Sequence, residues 1–312
     1  MSVLSAPHFH NEQAAYAYVE ARLWPNGPVC PHCGGFDRIG KMGGASTRIG
    51  TYKCYQCRKP FTVKVGTVFE ASHVPMRYWL QAIYLYCASK KGFSANQLHR
   101  TLGVTLKTAW FMAHRVREAM RDDEQNPLGG EGMVVEVDET YIGPPQEVFV
   151  TGKGWLKKRG VETKRKVISL VERGGRARSI HVDRIDAATI RKALFENIVQ
   201  TTRVHTDELH LYRKPGREFA AHERVNHSKE EYARGDVTTN TVVGFFSIFK
   251  RGMRGIYQHC SERHLQRYLH EYDFRYSHRV ALGIDDHDRA DHLLKGVVGK
   301  RLTYRTTAGQ AG

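Results

Sequence analysis

The spacing of apolar positions changes several times along the chain, and each change marks an element. From Met76 the period is helical, with Tyr78, Ile83, Leu85 and Tyr86 leading to a basic last turn and a glycine, Lys90-Lys91-Gly92. Two short helices about a turn come next. Ser94 can cap the first, Gly103 opens the turn, and Thr105 can cap a second that runs to about Met120. Trp110, Val116 and Met120 are expected to pack inward. Arg121 to Gly132 is polar and carries Asn126-Pro127 and Gly129-Gly130, which places a domain boundary there.

The period then drops to that of a strand. Val134 to Ile142 is dense in β-branched residues and stops at Gly143-Pro144. On such a strand Glu136 and Asp138 share one face, and Val135 and Val137 take the other. An acid in mid-strand must be hydrated, paired or bound to a cation, because burying a bare carboxylate is costly. Lys166 to Val171 and Ser179 to Val182 read as two further strands joined through Gly174-Gly175. A helix starts at Asp186 and runs to about Val199, and a short strand from Thr202 ends at the acid Asp207. Three strands, a helix, a strand and later helices predict an α/β domain with a mixed sheet. In the helix from Thr239 to Gly252, the residues Asn240, Val243, Ser247 and Lys250 form one stripe, while Phe245, Ile248 and Phe249 face the sheet. A helix from Glu262 to about Tyr272 follows, and Asp273 to Arg279 reads as a basic surface interleaved with aromatic residues.

Charge narrows the partners. The 312 residues carry 48 Lys+Arg against 32 Asp+Glu, a net +16. That favours a polyanion, and nucleic acid over a membrane surface, since no long apolar helix accompanies the charge. Neither a signal peptide nor a membrane span is expected, so the reading is cytoplasmic and nucleoid-associated.

Four of the six cysteines form C-x-x-C pairs, Cys30/Cys33 and Cys54/Cys57. The spacing suits a zinc ribbon in which two knuckles supply two thiolates each; a redox pair and unpaired buried thiols are the alternatives. Lys53, Arg58, Lys59 and Lys64 around the second knuckle suit phosphate contact or form a solvated rim. The helix-turn-helix shape would put Lys107 and Thr108 at base edges, and Arg115 lies further along the same helix. A plain helical hairpin is the competing reading. Lys153, Lys157 and Lys158, in an extended basic loop, and Arg251 are further candidates for DNA contact. With the first and fourth strands side by side, Asp138 and Asp207 would meet, and Mg²⁺ is the natural cation between such carboxylates. The organisation predicted is a zinc ribbon with an N-terminal helix over 1–72, a helical DNA-binding segment over 73–127, a catalytic domain over 128–283 and a basic, flexible tail over 284–312.

The four-cysteine ribbon, Val135 to Tyr141, His205-Thr206-Asp207-Glu208, Asn240-Thr241 through Lys250-Arg251-Gly252, and Glu271 to Tyr276 together resemble bacterial insertion-sequence transposases. The likeness runs from around Tyr16 to Arg279. It implies an N-terminal zinc ribbon and a DDE-type catalytic domain of RNase H-like fold, a mixed sheet flanked by helices. It also implies Asp138 and Asp207 as ligands of Mg²⁺ or Mn²⁺, with Asn240 and Lys250 completing the site on a helix. One departure stands out: family members commonly carry Glu where this chain has Val243. The activity implied is cleavage and strand transfer at the element's terminal repeats by a homo-oligomer on double-stranded DNA. A nuclease without strand transfer and a zinc-ribbon DNA-binding protein with a dead domain are the rivals.

Overall fold

The computed structural model describes residues 2–124, 126–143, 147–152, 154–157 and 164–303. They fall into two compact units, Met1–Arg121 with Ile284–Gly312, and Asp122–Gly283. In the first unit, Asn11 caps helix α1 (Glu12–Leu23) through its side chain. Strands β1 (Ile39–Lys41), β2 (Tyr52–Cys54) and β3 (Pro60–Phe61) form an antiparallel ribbon. Its small core joins Cys30, Cys54 and Phe61 to Trp24 and Tyr52, with Trp24 edge-on to both rings. So few apolar side chains cannot hold a fold this size unaided. Helices α2 (Met76–Ala88), α3 (Ala95–Leu102) and α4 (Leu106–Ala119) follow. A Ser94/Gln97 capping box starts α3, Gly103 ends it at φ 66°, and Thr105 caps α4. Only a residue without a Cβ adopts that turn freely.

The second unit contains the sheet. Strand β4 (Val134–Ile142) is followed by the hairpin β5 (Glu147–Val150) and β6 (Gly154–Lys157), then β7 (Arg165–Glu172) and β8 (Ala177–Val182). Helix α5 (Ala187–Asn197), strand β9 (Arg203–Thr206), the short helix α6 (Arg213–Gly216) and strand β10 (Ala221–Arg224) come next. The two-residue strands β11 (Ala233–Arg234) and β12 (Val237–Thr238) then lead into α7 (Asn240–Gly252) and α8 (Glu262–Ser277). The five-stranded sheet runs β10-β9-β4-β7-β8. β4 pairs antiparallel with β7 and parallel with β9, so the predicted first and fourth strands do lie side by side.

Strand alternation divides the core. Val135, Val137, Ile168, Leu170 and Val204 pack on one face with Ile190 and Leu194 of α5. Val167 and Val171 pack on the other with Phe245, Phe246 and Phe249 of α7 and Leu265 and Leu269 of α8. The segment from Asp273 onward continues α8 instead of forming a basic surface. Asp273 accepts hydrogen bonds from the amide and hydroxyl of Ser179 on edge strand β8, at 2.8 and 2.7 Å, and Arg275 pairs internally with Glu271.

The chain then returns to the first unit, and over the described residues 284–303 of the expected tail 284–312 the flexible reading is corrected. Helix α9 (Asp286–Lys295), capped by Asp285, buries Leu293 and Leu294. Val68 donates its amide to Val297, and Gly299 donates to Gly66. Arg115 is likewise not available to DNA. It is 5% exposed, and its guanidinium donates to the carbonyls of Val68 (2.7 Å), Glu70 (2.8 Å) and Leu302 (3.2 Å). His114 and Arg117 beside it are buried as well. The charge of Arg115 is thus spent on internal carbonyls, because α4 beyond its first turn is enclosed over most of its surface and not on one stripe.

Candidate active site and metal centres

The ribbon brings the four thiols together. Cys30 Sγ lies 3.6 Å from Cys57 Sγ, and Cys33 Sγ 3.7 Å from Cys54 Sγ. Zn–S bonds of about 2.3 Å in a tetrahedron require sulfurs about 3.8 Å apart, so the donor set fits one zinc ion. That spacing decides against four unrelated thiols.

In the sheet, Asp138 stands in mid-β4 opposite Ser169 of β7, and Asp207 follows the last residue of β9. Carboxylate oxygens of Asp138, Glu139 and Asp207 all lie within 4.8 Å of one another. Glu139 is the residue that the sequence reading missed. Its signal was adjacency to Asp138, but strand alternation argues that neighbours diverge. Here Tyr212, fully buried, donates its hydroxyl to Glu139 Oε2 at 2.9 Å and fixes the side chain. Leu209 donates its amide to Asp207 Oδ1 at 3.0 Å, and Glu139 donates its own to Asp138 Oδ1 at 2.7 Å.

The electrostatics are those of carboxylates held together against repulsion. Burial first, then the charges of Glu139 and Asp207, push Asp138 up to about 8 against the pull of Lys250. Burial and Asp207 push Glu139 up to about 7. Burial also raises Asp207. Three such groups ionise together only around a cation, and all-oxygen ligands suit a hard divalent ion such as Mg²⁺ or Mn²⁺.

Helix α7 supplies the fourth charge. Lys250 is half-buried and feels Asp138, while its own acidity is raised by desolvation. Asn240 is exposed at the first residue of α7, about 15 Å along the axis from Lys250. Val243 is 43% exposed on the same stripe and offers no ligand atom. Glu136, on the Asp138 face as predicted, is completely buried and paired with Arg173.

Of the DNA-contact candidates, Lys107 is exposed in the first turn of α4, and Thr108 is half-buried with its hydroxyl 2.9 Å from that of Thr105. Arg251 is exposed and bonds back to Ser247. Lys153 and Lys158 lie outside the described residues, as does the side chain of Lys157.

A sheet of this order, with one acid in mid-strand and a second closing the adjacent parallel strand, defines the RNase H-like class of DDE type. Residues 127–277 match the ISXO2-like transposase domain, and residues 10–60 match the transposase zinc-ribbon domain. A protein in the transposable element ISH50 of Halobacterium salinarum is 31% identical over 283 residues, which cover 86% of this chain and 91% of that protein. The chain belongs to the ISXO2-like family of insertion-sequence transposases, with a zinc-ribbon module ahead of its catalytic domain. Among the described residues, no helix is long and apolar enough to cross a membrane.

Proposed function

We propose that this transposase binds the terminal repeats of its element and catalyses divalent-metal-dependent DNA cleavage followed by strand transfer. The observation that carries the reading is the meeting of Asp138, Glu139 and Asp207 within 4.8 Å, with the charge of Lys250 acting on Asp138. The three carboxylates would hold the metal. When bound there, Mg²⁺ or Mn²⁺ supplies Lewis-acid stabilisation for in-line displacement at a phosphodiester. Asp138 and Asp207 bring their charge from adjacent strands, and Glu139 adds a third that Tyr212 orients. Lys250 neutralises part of that charge when the metal is absent and holds a backbone phosphate when DNA is present. Lys107 and Thr108 face base edges, while the +16 balance, Arg251 and the lysines around Gly152 serve the backbone. Two element ends must be joined to one target, which calls for a homo-oligomer on double-stranded DNA.

The test is to incubate purified, zinc-loaded protein with a labelled duplex of its own element ends, with and without Mg²⁺. Cleaved and joined products support the proposal; cleavage without joining makes the protein a nuclease of this fold. Val243 favours one rival, a zinc-ribbon DNA-binding protein whose catalytic domain is dead. Specific end binding with no Mg²⁺-dependent product would establish that rival.

A further inference from the structure

The acids and the lysine are carried by β4, by the end of β9 and by α7, and something must hold those elements in mutual register. We infer that Glu136 and Arg173 form a positioning pair that ties the strands of Asp138 and Asp207 to the helix of Lys250. Glu136 points from β4 into the start of α7. Its carboxylate accepts from the amide of Thr241 (2.7 Å), the hydroxyl of Thr241 (2.9 Å) and the amide of Val242 (3.1 Å). These amides belong to the first turn of a helix, which has no internal partners for them, and a negative charge there also suits the helix dipole. A carboxylate from the sheet thus does what a capping side chain does elsewhere, and it fixes where α7 begins on β4.

Arg173, just past the end of β7, extends the connection. Its Nε donates to Glu136 Oε1 at 2.7 Å. One terminal nitrogen reaches the carbonyl of Thr238 at 3.1 Å, in β12 just ahead of α7, and lies 3.3 Å from Nδ1 of His205. His205 is two residues before Asp207 on β9, and Glu136 is two residues before Asp138 on β4, where the two residues are register partners. The Arg173 amide also donates to Val134 at 3.0 Å. One planar guanidinium therefore touches β4 and β9 directly, and reaches α7 through Glu136 and through the carbonyl of Thr238 just ahead of that helix. A lysine ammonium at the same place keeps the charge but lacks the fork needed to reach Glu136, Thr238 and His205 together.

The consequence for metal binding rests on the proposed function; the mechanical tie does not. The test uses the full-length, zinc-loaded chain carrying Arg173→Lys. Mn²⁺ binding is followed by electron paramagnetic resonance, and amide exchange by mass spectrometry. The expected result is a cooperative melt near that of the wild type and Mn²⁺ affinity lowered by about tenfold or more, as when groups supporting metal ligands are lost. Exchange should accelerate in the peptides holding 207–209 and 241–242 together, with α5 unchanged. Wild-type affinity and exchange in the folded variant would overturn the inference, as would acceleration spread evenly over the domain. If wild-type protein binds no Mn²⁺, the metal reading fails and the exchange measurement still decides on the tie. Glu136→Gln leaves Arg173 facing no charge and is the variant at risk of misfolding. The double substitution Glu136→Gln with Arg173→Gln removes that imbalance and should show the same paired acceleration.

Discussion

Replacing Asp138 by Asn should stabilise the Mg²⁺-free protein while destroying its activity. The folded protein keeps a proton on Asp138 up to about pH 8, whereas the unfolded chain releases it near 3.8. Between those values the native state binds more protons than the unfolded one, so stability falls as pH rises through the window. A shift of about four units, at about 1.4 kcal/mol each, makes the ionised group a burden on the order of 5 kcal/mol at pH 8. Asn keeps the shape and carries no charge. For a domain of this size each kcal/mol moves the melting temperature by about 2–4 °C, so the variant should gain roughly 10–20 °C at pH 8. At pH 5 the window has been crossed by only about one unit above 3.8, so the gain should shrink to roughly 1.5 kcal/mol, and it should vanish near pH 3.8. The assay is calorimetry at both pH values in Mg²⁺-free buffer without chelator, which leaves the ribbon zinc in place. Added Mg²⁺ should raise the wild-type transition at pH 8 and leave the variant where it is. A variant that melts at or below wild type at pH 8, or gains equally at pH 5, would refute the picture of carboxylates forced together to receive a cation.

Other outcomes are specific to single side chains. Cys54→Ser should release the one zinc ion and abolish ordered structure in the ribbon, measured by metal analysis and amide exchange; retained zinc counts against the four-thiolate site. Arg115→Ala should cost roughly 3 kcal/mol by leaving carbonyls of Val68, Glu70 and Leu302 without their donor. Its salt-dependent affinity for random duplex should stay as it is, while Lys107→Ala should relax the preference for element ends. A loss of duplex affinity in folded Arg115→Ala would contradict its internal role. Val243→Glu should raise Mn²⁺ affinity on the order of tenfold by adding a carboxylate on the Lys250 stripe. An unchanged binding curve would mean that this face of α7 does not look at the acids.

How much of this was legible in the sequence differs by element. The strands carrying Asp138 and Asp207, and the two short helices around Gly103, declared themselves through period and capping residues, which are local signals. The cysteine spacing did the same for the ribbon. Arg115 was misread because a cation on a helix looks solvated until the neighbours that enclose it are known. Residues 284–303 read as a tail because the charges around Asp285 to Asp291 outnumber Leu293, Leu294 and Val297, which do the packing. Glu139 was hidden by the period itself. Strand alternation turns it from Asp138, and only the end of β9 and the Tyr212 hydroxyl return it to the group. Glu136 was recognisable as an acid needing a partner, but Arg173 lies thirty-seven residues away and only the β4–β7 pairing joins them.

The return of the chain to its first unit has a consequence for synthesis. The catalytic unit is an insertion, entered at Arg121–Asp122 and left at Gly283–Ile284. The module that contains the ribbon and the two short helices therefore waits for Val297, Lys300 and Leu302, made last, to complete its packing. At ribosomal rates of about 5–20 residues per second, the nascent module stays unfinished for roughly ten to forty seconds while the inserted unit is made. A gene copy cut short at codon 284 would then encode the whole acidic site and an incomplete ribbon-bearing module. Such a fragment would keep the three acids and their sheet while the unit holding the ribbon lacked α9 and the residues that close its packing.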